Sequence, residues 1–533
     1  MRVHPPDTPT RRSAAAARRQ RRTRGDRARL VLGIAAAVLL AAALRVPNLD
    51  AQLPDLVHPD EPTVVERGLA ALDGRLVPPQ FDWPPASSYL YAAAVAGARL
   101  VDPDAATDQG GRYLLGRWLF LAVALLAVAL TGALGARLAD APDRRLATAV
   151  AAAAALAVSY TSVRLSRVAH PEHLQIVLML GAVLCALAFD RSRRLGMLAA
   201  AGALAGLAGA TKYLGVSVGL VPLLAVLCWR PTPARLRLTQ LATLAAAAIA
   251  GFLTGSLGTV LRGGEFLRGF WWQVGHQAGG HLGYEATGTG WVFHLTTSMP
   301  GNWGWPLTAL AVGGTVAAAV RGSRDQRLVA AFVAVVFGLI GSSQIRFPHY
   351  VLILYPFLAA LAAVALLRIR PRALAVAVTA AVVAGLAVTA TDDVRLLRAA
   401  AAPDTRLLAD RAAAGLEGPV WSEGHSLTVP RRAAGDEQRF AFGASPEVLD
   451  CRCFAVVSSY QEDRYRARPD LYAAEIGVYD ALRSAGRTVS EIGPDPPLSY
   501  RWDLLPQWGL RAIPLVGPTG PVGPTITILD LTG

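Results

Sequence analysis

Apolar runs of about 16–24 residues recur through the first three quarters of this sequence, and they constrain its fold more than any other feature. A bilayer core demands roughly 20 apolar residues per spanning helix. The runs cover about 30–46, 113–136, 146–160, 172–190, 195–211, 213–229, 239–260, 305–320, 328–343, 350–367 and 373–390. They predict a polytopic α-helical membrane protein with about 11 transmembrane helices. Composition agrees: 17% of residues are charged and 53% hydrophobic, where a soluble domain carries about 25% charged residues.

The net charge of +14 raises nucleic acid as a partner, but its distribution argues against that. Arginines crowd the first thirty residues (Arg11, Arg12, Arg18, Arg19, Arg21, Arg22, Arg24) and then the short loops between apolar runs. Cytoplasmic loops carry such an excess of basic residues. With the N-terminus inside, every second loop should be basic. Arg137/Arg144/Arg145, Arg191/Arg193/Arg194, Arg230/Arg235/Arg237, Arg321/Arg324/Arg327 and Arg368/Arg370/Arg372 alternate as required. Residues 1–29 read as a disordered cytoplasmic tail before an uncleaved first helix, since no small-residue cleavage site follows the run. Residues 30–391 form the membrane domain, and 47–112, 161–171, 261–304 and 344–349 fall on the outer side. Within the first of these, 86–101 reads as a helix lying in the interface, with a twelfth span as the alternative. Residues 392–533, with Pro/Gly turns and alternating stretches such as Thr525-Ile526-Thr527-Ile528, predict a small extracytoplasmic α/β domain. Four cysteines, none in CxxC spacing, imply neither a metal site nor a disulfide framework.

Polar residues that bilayers exclude collect on the outer side. Seven of the nine histidines (His58, His170, His173, His276, His281, His294, His349) lie in or beside outer loops. His58-Pro59-Asp60-Glu61 puts two carboxylates just after a membrane helix, where one can act as a general base and the other orient it or hold a metal. The same pair fits a helix N-cap, and the two roles are compatible. Arg164, Arg167, His170, Pro171, Glu172 and His173 make a second element at the mouth of the fourth run. On a helix His170 and His173 would share a face as metal ligands, with Glu172 turned away; polar capping is the other reading. Lys212, the only lysine in the chain, sits between two apolar runs at the outer end. It either snorkels or faces a phosphate at the membrane surface. Arg346, His349 and Tyr350 add a further cationic cluster. The aromatic loop with Trp271-Trp272 and Asn302-Trp303-Gly304-Trp305 suits interfacial anchoring or sugar stacking.

These motifs, in this order and on this topology, resemble the GT-C glycosyltransferases, specifically the protein O-mannosyltransferase and lipid A 4-amino-arabinose transferase family. The resemblance runs over about residues 30–370. It is carried by His58-Pro59-Asp60-Glu61, Asp82-Trp83-Pro84-Pro85, Arg164 to Glu172, Thr211-Lys212-Tyr213, Gly280-His281-Leu282-Gly283, Arg346-Phe347-Pro348-His349-Tyr350 and Tyr355-Pro356. It implies an inverting transferase using a polyprenyl-phosphate sugar donor at the outer face, with Asp60 as base and Glu61 beside it. Lys212 and Arg346 would lie near the donor phosphate. Pro171-Glu172 departs from the Pro-Asp of many relatives, which puts a second-carboxylate role for Glu172 in doubt. A divalent metal is left open, as are sugar and acceptor (protein, lipid or cell-wall glycan). The competing class is a transporter or exporter of a lipid-linked saccharide. Such proteins carry internal repeats and midplane charges in broken helices, and neither is present here.

Overall fold

The computed structural model describes residues 11–55 (side chains from 25 onward), 58–228, 232–282, 288–428, 435–497 and 511–533. Arg230 and Gly283, named above, lie outside the described residues. Every apolar run folds as helix, but the elements begin and end by local chemistry rather than at the run boundaries. Helix α1 (Arg11–Ala43) starts inside the segment expected to be disordered, because Ala and Arg are among the strongest helix formers. Two short helices follow, α2 (Glu61–Leu72) and α3 (Ala86–Arg99). Helix α3 buries Tyr91 and Val95 against α2, so the segment 86–101 has a packed inner face.

The bundle continues with α4 (Gln109–Leu138), α5 (Arg145–Ala157), α6 (Tyr160–Leu165), α7 (Glu172–Ser192) and α8 (Leu195–Thr211). A 3₁₀ turn at Tyr213–Gly219 leads into α9 (Leu220–Leu227), then α10 (Ala234–Gly255), α11 (Leu257–Leu261) and α12 (Gly263–Gly279). Next come α13 (Gly290–Phe293), α14 (Met299–Arg321), α15 (Arg324–Gly341), a 3₁₀ turn at Pro348–Leu354, α16 (Tyr355–Arg368) and α17 (Arg372–Ala401). Among the described residues, 6 segments are long and apolar enough to cross a membrane: 109–138, 172–192, 234–255, 290–321, 348–368 and 372–401. Two shorter apolar helices, 195–211 and 213–227, accompany them. The chain is built as a multi-pass membrane protein. Segment 348–368 is its central column, with 78% of its apolar window buried against 11% for α17.

Small residues let α8 and α10 meet backbone to backbone. Gly202 and Gly206 on α8 lie against Leu244, Ala247 and Ala248, and Gly251 and Gly255 on α10 lie against Ala203, Leu207 and Ala210, a small-xxx-small pattern on each helix. A Cβ on Gly206 would collide with the Ala248 carbonyl, and one on Gly251 with that of Ala203.

The arginine loops gather at one end of the bundle. Arg191 Nη2 lies 3.0 Å and Arg137 Nη2 3.3 Å from Asp325. Arg324 pairs with Asp190 at 2.6 Å, and Arg368 grips Asp140 through two bonds of 2.7 and 2.6 Å. Loops assigned to one side from sequence parity are thus knitted by direct contact. The His and carboxylate loops lie at the opposite end.

After α17 the chain forms a second layer system. Helix α18 (Thr405–Ala414) precedes β1 (Val420–Glu423), β2 (Glu437–Arg439) and β3 (Phe454–Ser458). Then come α19 (Ser459–Arg466), α20 (Ala473–Ala485), β4 (Arg487–Ile492) and β5 (Ile526–Asp530). The strands make one mixed sheet in the order β2-β1-β3-β5-β4. β1 runs parallel to β2 and β3, while β5 is antiparallel to β3 and β4. Alternate residues serve opposite faces: Ala455, Val457 and Leu529 pack on Tyr479 and Leu482, whereas Val456, Ile526 and Ile528 pack on Ala409 and Ala413. Cys451 and Cys453 form a disulfide at the entry to β3. Helix α17 carries the chain to Ala401, so this unit begins about ten residues later than the apolar run suggested.

Candidate active site

Asp60 stands at the N-cap position of α2, with Pro62 just inside the helix, yet its side chain caps nothing. It turns instead toward His170, whose Nε2 lies 3.3 Å from Asp60 Oδ2. The Asp60 side chain is 41% exposed and His170 1%. Glu172, the first residue of α7, touches both His170 Nδ1 and Lys212 Nζ. His349 Nε2 lies 4.0 Å from Glu172 Oε1. Trp83 closes the side of this row, with Lys212 Nζ 4.6 Å from its ring centroid and the His170 ring 5.5 Å away. The carboxylates and cations therefore alternate: Asp60, His170, Glu172, Lys212.

The electrostatics follow from that alternation. Burial alone would raise the Asp60 carboxyl. The His170 hydrogen bond and the positive charges of His170 and Lys212 outweigh it and hold Asp60 well below the usual carboxylate range. Burial alone would lower His170, but Glu172 and the Asp60 hydrogen bond raise it. An imidazolium there can donate to both carboxylates. Burial pushes His58 down to about 4, so it is neutral at pH 7, and its Nδ1 accepts from the Asp60 backbone N–H at 3.3 Å.

The structure rearranges several sequence expectations. Glu172 faces His170, and His173 turns away to Ser162 Oγ at 3.0 Å. The shared-face argument for His170 and His173 fails because α7 begins only at Glu172, leaving His170 outside the helix. Among the described residues no group of three or more His, Cys, Asp or Glu is placed to hold a metal. Lys212 does not lack a protein partner: the start of α7 and the end of α8 lie side by side and supply Glu172. Arg167 is spent on backbone, donating to the carbonyls of Arg45, Pro47 and Asn48 at 2.6, 2.6 and 2.8 Å. Glu61 is sealed in a two-bond grip by Arg117, each bond 2.9 Å, and also accepts from Ala169 N–H at 3.1 Å. It faces the scaffold while its neighbour Asp60 faces His170.

Arg164 is partly exposed and has no hydrogen-bond or ion-pair partner among the described residues, yet its charge acts on His58 and His349. Tyr350 accepts a bond from Gln277 at 3.3 Å. Arg346 stacks over Phe293 at 5.0 Å. Trp271, Trp272 and Trp305 are exposed on the outside of the molecule and Trp303 is buried in the core, an arrangement that favours anchoring over sugar stacking.

Sequence reading missed Arg117, which lies inside the apolar run 113–136 and was a detectable signal, since a charge within a span marks a buried partner.

No protein-family model and no curated protein sequence matches the chain. Solved structures do. ArnT from Cupriavidus metallidurans bound to undecaprenyl phosphate matches with a TM-score of 0.50 at 16% identity, over 83% of this chain and 94% of that one. The Archaeoglobus fulgidus oligosaccharyltransferase in complex with Zn and sulfate matches with a TM-score of 0.54 at 12% identity, over 89% and 74%. At such identities the likeness is one of architecture: the chain shares the fold of these two proteins.

Proposed function

We propose that the chain is a membrane glycosyltransferase that moves a sugar from a polyprenyl-phosphate donor to a nucleophilic acceptor, with inversion, at the outer face. The observation that carries this reading is the row of side chains itself: one accessible carboxylate, Asp60, bonded to His170 and followed by Glu172 and Lys212, with His349 beside Glu172. Binding of undecaprenyl phosphate by the structurally similar ArnT supports the donor class. In the proposed step the acceptor oxygen attacks the anomeric carbon while its proton passes to Asp60. The bond from that carbon to the lipid phosphate breaks, and the phosphate leaves with the electron pair. A leaving group already anionic needs cations rather than a general acid. Arg164, which has no hydrogen-bond or ion-pair partner among the described residues, takes the phosphate first, and Lys212, shared with Glu172, takes it second. Glu61 positions the loop that bears Asp60.

Donor affinity tests the cation assignment. A charge-assisted hydrogen bond is worth about 1.5–3 kcal/mol, so Arg164→Met should weaken undecaprenyl phosphate binding in nanodiscs by about 10–100-fold. Lys212→Met should weaken it less, and Lys212→Arg should recover part of that loss, because a fork does not reproduce a compact ammonium. Equal affinity in wild type, Arg164→Met and Lys212→Met would remove the donor-phosphate reading. Orientation has its own test. Periplasm-active reporters fused after Pro403 should be active, as the alternation of arginine loops requires, and the disulfide between Cys451 and Cys453 fits an oxidising compartment. Activity of a cytoplasmic reporter at that point would invert the topology.

A further inference from the structure

The end of the bundle opposite Asp60 holds a cavity of its own. It measures about 530 Å³ and is lined by Asp140, Arg144, Arg368, Ile369 and Arg370. These residues belong to the loop between α4 and α5 and to the turn between α16 and α17. Three spans therefore meet at its rim: 109–138 and 348–368 end there, and 372–401 begins there. That is the depth at which a bilayer core gives way to headgroups. The charges around the cavity do not cancel. Arg368 neutralises Asp140, its Nε and Nη2 donating to the two carboxylate oxygens at 2.7 and 2.6 Å. Arg144 and Arg370 are left over. Arg144 is oriented by one bond, from Nη1 to the Leu367 carbonyl at 2.7 Å. Arg370 makes no hydrogen bond or ion pair among the described residues. Beside them, Leu146 near the start of α5 and Leu374 and Val376 near the start of α17 are exposed apolar side chains.

We propose that this cavity seats the phosphodiester headgroup of an anionic phospholipid, with Arg144 and Arg370 on the phosphate oxygens and the acyl chains along the apolar starts of α5 and α17. A guanidinium presents paired N–H groups that match phosphate oxygens, and basic pockets between span ends take anionic headgroups. Arg368 and Asp140 supply a fixed floor, because each already satisfies the other. A free phosphate offers the same oxygens but nothing to cover Leu146 and Leu374, so the lipid is the better match. The site lies at the far end of the bundle from Asp60 and does not rest on the transferase reading.

The test uses the full chain in detergent, titrated with phosphatidylglycerol, phosphatidylcholine or inorganic phosphate and read by native mass spectrometry. The wild type should retain phosphatidylglycerol in preference to phosphatidylcholine, and inorganic phosphate at the same concentration should not displace it. Arg144→Met and Arg370→Met should each weaken phosphatidylglycerol binding by about 5-fold, and the double variant by about 25-fold. Arg370 holds no protein group, so its variant reads the site without disturbing the fold. Arg144→Lys keeps the charge and should recover part of the loss. Arg235, at the start of α10, lies outside the cavity, and Arg235→Met should leave the affinity unchanged. That control separates a built site from the general attraction of arginine loops for anionic lipid. Equal retention of the two lipids by the wild type, wild-type affinity in Arg370→Met, an equal loss in Arg235→Met, or displacement by inorganic phosphate would each overturn the proposal.

Discussion

Asp60→Asn is expected to lower turnover by about 10²–10⁴-fold, the usual worth of a positioned general base, while undecaprenyl phosphate binding persists. Asparagine keeps the size and the hydrogen bond to His170 but cannot take the acceptor's proton. The pH profile should separate Asp60 from its support. The reactive form is the ionised carboxylate, and neighbours hold Asp60 below the usual carboxylate range. The acid limb of kcat/KM in the wild type therefore lies below about pH 4. His170→Phe removes the hydrogen bond and the adjacent positive charge but leaves burial, which raises a carboxyl. The acid limb should then move to higher pH, so that activity at pH 5 falls relative to pH 7. His170→Gln, which keeps a donor without the charge, should move it less. An unchanged limb in His170→Phe would mean that His170 does not set the ionisation of Asp60, and near-normal turnover in Asp60→Asn would remove Asp60 as the base.

The membrane architecture was legible because bilayer physics writes it in one dimension. Apolar runs fixed where helices form, and arginine parity fixed which loops share an end, as the Asp325, Asp190 and Asp140 pairs show. The site was legible only as a set of residue types. Spacing along the chain put His170 and His173 on one face, but a helix that starts two residues later hands that face to Glu172. Lys212 looked solitary because its partner lies forty residues back, on an adjacent helix. Asp60 and Glu61 were indistinguishable in sequence; what separates them is Arg117, which reaches across from α4 and seals Glu61 in the scaffold. Contacts made by the sheet unit, such as those of Ile513 and Val522 with Tyr160, could not be read at all, since no periodicity links segments so far apart in the chain.

Arg117→Met should destabilise the protein by about 3–5 kcal/mol, the cost of leaving one member of a buried ion pair uncompensated. Glu61 is fully buried, and Arg117 is 5% exposed. The arginine does more than neutralise Glu61: its Nη1 also donates to the carbonyls of Leu49 and Ala51 at 3.0 and 2.9 Å. It thereby fastens the exit of α1, the start of α2 and α4 to one another, and Glu61 adds the segment before α7 through Ala169. Thermal unfolding in detergent would show the loss as a lower Tm. Glu61→Leu combined with Arg117→Met should recover part of it, because no lone charge is then buried, although the Ala169 N–H and two carbonyls still lose partners. Both changes should also cut turnover per folded molecule, since Asp60 is the residue next to Glu61 and its loop would be less firmly placed. Glu61→Gln separates positioning from chemistry. It keeps the acceptor oxygen and much of the packing, so a positioning residue should lose stability with a modest loss of rate. A loss of rate as deep as that of Asp60→Asn, with Tm unchanged, would make Glu61 the base.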